Sequence, residues 1–111
     1  MPGTPSIRFF YSGELHAETV ALLEAMEQAD DPTDEREALG DLVVALTEAG
    51  LDYYFLKPLE LAGAGFVASQ SAGFGVASAK RFMAPVIRSI ISGMDGDQLL
   101  IICGFIRDVM D

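Results

Sequence analysis

The sequence predicts an all-α fold, a small bundle of four to five helices with an extended N-terminal arm, pairing as a homodimer. Three observations carry that expectation. Apolar residues recur at helical spacing in successive stretches, with recognisable start signals before them. Residues 61–79 form a run of 19 without a charge, rich in Gly, Ala and Ser. The last stretch, 95–110, is apolar almost all round, which a helix facing water on one side would not be.

The arm comes first. Pro2 and Pro5 discourage helix, and Ile7-Arg8-Phe9-Phe10-Tyr11 is aromatic and weakly alternating, so residues 1–13 read as an extended arm or short edge strand. Ser12 can cap a helix over 14–29, in which Leu15, Leu22, Leu23 and Met26 share a face. Asp31-Pro32-Thr33-Asp34 is the strongest start signal in the chain. It sets a capping carboxylate before a proline at the first helical position, and more acid in the first turn, where the helix dipole favours it. The second helix carries Leu39, Leu42, Val43 and Leu46. It is expected to end at Gly50, with Leu51 touching Leu46 as in a Schellman cap. Residues 14–50 thus form an acidic helical hairpin.

Residues 51–111 form the apolar remainder of a single domain, 1–111. Asp52 can cap a third helix, which Pro58 should kink or restart, because proline lacks the N–H that would bond the carbonyl of Tyr54. In 61–79, Ala64-Gly65-Phe66 recurs as Ala72-Gly73-Phe74. If this segment is helical, Gly65, Ser69, Gly73 and Ala77 form a nearly bare ridge that lets another backbone approach. Four glycines in such a helix forfeit about 4 kcal/mol relative to alanine, so close helix packing, within the chain or across a dimer, is expected to compensate. Residues 82–94 then read as a short amphipathic helix. Ile87, Ile90, Ile91 and Met94 lie on one side, and Pro85 falls in its first turn. Asp95 and Gln98 form a capping-box pair for the last helix, where Leu99, Ile102 and Ile106 are candidates for a helix–helix or dimer interface.

Charge divides the chain. Residues 14–52 hold twelve acids and one base, Arg36, a net of −11, whereas 53–111 hold five of each sign. An acidic surface with scattered bases repels phosphate backbones, so nucleic acid is excluded as a partner, while a basic protein could dock on the hairpin. A membrane span is disfavoured, since only Leu61, Phe66, Val67, Phe74 and Val76 are large and apolar in the uncharged run. The N-terminus has no cationic stretch leading into an apolar one, so no signal peptide is expected. The single cysteine, Cys103, reads as a buried packing thiol, which fits a cytoplasmic setting.

No constellation for chemistry stands out, and no enzyme activity, cofactor or metal is expected. His16 is the only histidine. Glu14 and Glu18 diverge from it on a helix, so neither serves as a natural co-ligand. Asp30, Asp31, Asp34 and Glu35 lack the spacing of a calcium loop. Gly63-Ala64-Gly65-Phe66-Val67-Ala68 matches a dinucleotide fingerprint formally, but no strand precedes it and no acid follows before Asp95. The expected role is a non-enzymatic protein–protein interaction module. The alternative is a carrier or sensor of a hydrophobic ligand held between helices, with Tyr54, Phe55, Phe66 and Phe74 lining the pocket.

Overall fold

The computed structural model describes residues 5 and 7–110; the opening of the expected arm, Pro2 included, lies outside the described residues. The fold is all-helical, with no strand among the described residues. Residues 7–11 are neither helix nor strand. Phe9 lies against Tyr53 and Tyr54, at ring-centroid separations of 6.5 and 5.8 Å, and beside Gly50.

Helix α1, Gly13–Gln28, starts where Ser12 accepts from the Leu15 N–H. Its inner face buries Leu23 and Met26, together with Thr19, whose hydroxyl donates to the Leu15 carbonyl at 2.7 Å. At the strong start signal, Asp31 accepts from both the backbone and the hydroxyl of Thr33. The first turn there is 3₁₀, Pro32–Glu35, and helix α2 proper runs Arg36–Leu51.

The expected stop at Gly50 does not form. The backbone stays helical through Gly50 and Leu51, passes through a π-helical turn at Asp52–Leu56, and continues as α3, Lys57–Leu61. Proline explains the register slip. The Lys57 N–H bonds the Asp52 carbonyl five residues back, so the wider turn falls just ahead of the residue that cannot donate. Asp52 accordingly is not a cap. It sits in helical backbone, and its carboxylate pairs with Lys80 at 2.8 Å. The Schellman motif occurs thirteen residues later. Gly63, at φ +65°, is the one positive-φ residue among those described. Its N–H bonds the Glu60 carbonyl, and the N–H of Ala64 bonds that of Leu59.

Helix α4, Phe66–Ser92, is a single helix where the sequence suggests two. Gly65 is its N-cap residue, and Pro85 lies well inside it rather than in a first turn. Both Pro85 and Arg81, whose carbonyl Pro85 leaves without a donor, are exposed, so water can take that bond. On either side of Pro85 the helix is held to α2. The two run antiparallel, with Gly40 against Arg88, an Asp41–Arg88 ion pair at 2.9 Å and the Asp52–Lys80 pair further along. Helix α5, Gly96–Val109, opens with the expected capping box, Asp95 and Gln98 bonding reciprocally at 2.9 Å.

The core lies at one end of this frame, where α1, α2, α4 and α5 meet. It contains Leu23, Met26, Leu39, Leu42, Ile91, Leu99, Cys103 and Ile106. The α3 end of the α2–α4 hairpin extends beyond it, so the molecule is 52 × 33 × 25 Å, with a radius of gyration of 15.9 Å. A close-packed domain of this length would have about 13 Å.

Candidate functional site

The largest uncovered feature is the outside of α4. Of its charges, Lys80 and Arg88 fall on the flank nearer α2, where they pair with Asp52 and Asp41, and Arg81 is exposed at the edge of the outer face. The opposite side carries Ala68, Ser71, Gly75, Ser78, Ala79, Phe82, Val86 and Ile90, all at helical spacing and none charged. Phe82 is 75% exposed, Ile90 59% and Val86 46%. A helix of 27 residues is about 40 Å long, so the uncharged stripe runs most of the length of the molecule. Helix α5 adds Ile101, Phe105 and Val109, spaced four apart and all exposed, while Leu99, Cys103 and Ile106 turn inward.

The expected interface residues are dispersed by this geometry. Leu99 and Ile106 are in the core and Ile102 packs on it, so these three make contacts within the chain. Ser69 and Ala77 are exposed, and Gly73 is half-buried. No atom lies within 4 Å of where a Cβ on Gly65 or Gly73 would stand, so neither glycine is in close contact with another helix of its own chain. In the 82–94 stretch, Ile91 is buried and Ile87 and Met94 pack on the core, whereas Ile90 faces out.

Tyr54, Phe55, Phe66 and Phe74 are all on the outside, between 41% and 79% exposed, and do not enclose a cavity together. Two open grooves lie elsewhere. One, of about 350 Å³, is lined by Phe10, Ala49, Asp52, Tyr53, Leu56, Lys57 and Glu60. The other, of about 630 Å³, runs between the start of α2 and the end of α4, beside the Asp41–Arg88 pair. It mixes Asp34, Glu37 and Asp41 with Arg36 and Arg88, so it presents no single charge to a ligand. The Arg36 guanidinium is spent on structure, donating to the Met94 carbonyl at 2.7 Å and so tying α2 to the α4–α5 turn.

His16 is exposed, its Nδ1 hydrogen-bonded to the Tyr11 hydroxyl at 2.9 Å. Among the described residues, no group of three His, Cys, Asp or Glu side chains is placed to hold a metal ion. Asp31 is held below the usual carboxylate range, first by the Thr33 hydroxyl and then by the Thr33 N–H. Cys103 shifts the other way. Burial, and secondarily the Glu27 carboxylate, push its thiol up, so it is protonated and a poor nucleophile at neutral pH. No described helix is long and apolar enough to cross a membrane.

Sequence reasoning missed the outer stripe because it divided α4 between Ala79 and Phe82. That hid the fact that Ser71, Gly75, Ser78, Phe82, Val86 and Ile90 follow one another at steps of three and four. The signal was present: a charge-free row at that spacing continues through the supposed break. No protein-family model, curated protein or solved structure matches the chain.

Proposed function

We propose that this chain is a non-enzymatic protein–protein interaction module that acts as a homodimer, its acidic α1–α2 hairpin left open to a basic protein partner. The observation that carries the reading is the exposed, uncharged stripe along α4, which is larger than the scattered apolar residues of an ordinary monomer surface. The charge split supports the second half of the reading. Residues 14–52, at net −11, form a hydrated face that attracts a cationic surface, while the neutral half is free to self-associate. One buried, unbridged thiol accords with a reducing, cytoplasmic setting. Residues 7–11 act as an arm, with Phe9 anchored on Tyr53 and Tyr54.

Native mass spectrometry at tens of micromolar tests this directly. The expected species is a dimer of the 11.9 kDa chain with no added small-molecule mass. A monomer would overturn the self-association, and a monomer carrying a hydrophobic ligand would favour the carrier reading. Binding of a lysine-rich protein that weakens steeply with salt would support the acidic docking face.

A further inference from the structure

We infer that the outer face of α4 is covered by α4 of a second copy, running antiparallel about a two-fold axis between Ser78 and Ala79. This deepens the self-association proposed above and rests on it. The argument starts from side-chain size. Along the stripe, the N-terminal half is small, with Ala68, Ser71 and Gly75, and the C-terminal half is large, with Phe82, Val86 and Ile90. A two-fold axis through the helix centre sets Phe82 opposite the partner's Gly75 and Val86 opposite the partner's Ser71. Phe82 and Val86 each then meet a smaller residue, the small positions act as slots, and the two axes remain evenly spaced. Parallel pairing would instead stack Phe82 on itself and leave the glycine end empty.

Three further observations favour a second copy as occupant. The face is uncharged, so two chains of net charge −10 can meet on it while their acidic hairpins stay apart in water. Gly75 has no atom within 4 Å of a would-be Cβ, so its side of the helix is open to receive an opposing phenylalanine. The chain exposes 7504 Å², against about 6,000 Å² for a compact monomer of this mass. A standard interface takes about 800 Å² from each partner, and the surplus can supply it.

Cross-linking with a short bismaleimide tests the geometry. Ser71→Cys and Val86→Cys are both surface changes, and buried Cys103 makes the parent chain the blank. In the antiparallel pair the two copies of either position lie about 22 Å apart along the axis, at 1.5 Å per residue. Each variant alone should therefore give little covalent dimer, and their mixture should give it readily. Gly75→Leu fills the slot for Phe82 and should be monomeric at concentrations where the parent is dimeric, with its helical circular dichroism unchanged. A dimer in which either variant links to itself, or in which the mixture does not link, overturns the antiparallel pairing while leaving self-association standing. So does a Gly75→Leu protein that still dimerises. A parent chain that is monomeric overturns both.

Discussion

Gly40 packs directly against α4, and replacing it gives a sharp test of the fold. It is buried in mid-helix, and a Cβ built there would stand 3.7 Å from the Arg88 Cγ, 3.8 Å from the Arg88 Cα and 4.0 Å from the Ile91 Cγ2. Those are ordinary van der Waals separations, so Gly40→Ala fits without moving either helix. It should also remove the cost of a helical glycine, about 1 kcal/mol. The expected outcome is a rise in Tm of roughly 4 °C or more, read by circular dichroism at fixed protein concentration, because dimerisation would make Tm depend on concentration. Gly40→Leu reverses the sign. Its branched end must enter space already held by the Arg88 backbone and Ile91, and overpacking of this kind costs about 1–3 kcal/mol. The Asp41–Arg88 pair beside it would be displaced as well. If Gly40→Ala lowered Tm, the helices would pack more tightly than these distances, and the antiparallel α2–α4 contact would be wrong as described.

Further outcomes follow from other sites. Gly63→Ala places a side chain at φ +65° and should cost about 1–2 kcal/mol in urea unfolding, whereas Gly50→Ala, in helical backbone with Phe9 at 3.7 Å, should be neutral or stabilising. The reverse pattern would restore the cap to Gly50. Leu99 is fully buried in the core, so Leu99→Ala should cost about 2–5 kcal/mol and broaden or abolish cooperative thermal unfolding. For Cys103, whose thiol burial pushes up, stability should be insensitive to this group up to the usual thiol range. It should then fall at more alkaline pH, as the unfolded chain loses the proton that the folded chain keeps. Urea titrations at about pH 7 and about pH 9.5, compared with Cys103→Ala, isolate that slope, and the thiol should react with disulfide reagents only after denaturation.

Elements whose signals are local are readable from the residues alone. Ser12, Asp31 and the Asp95–Gln98 pair mark starts because a capping side chain bonds an N–H two or three residues away, and no distant residue is needed. The buried faces of α1 and α2 were legible too, since period 3.6 sorts Leu23 and Met26, and Leu39 and Leu42, to one side whatever they pack on, whereas α5 is apolar almost all round. Where helices end, and what covers them, were decided in three dimensions. Gly50 reads as the stop signal, yet it stays helical between the body of α2 and the Asp52–Lys80 pair, while Gly63, with open space around it, takes the positive-φ turn. Pro58 reads as a kink or restart and Pro85 as part of a first turn. One is absorbed by a π turn and the other by a helix that α2 holds on both sides, since the packing of a long antiparallel hairpin outweighs a single missing hydrogen bond. The same continuity joins Gly75 to Phe82 on one uncharged face, a juxtaposition that exists only because α4 is one helix.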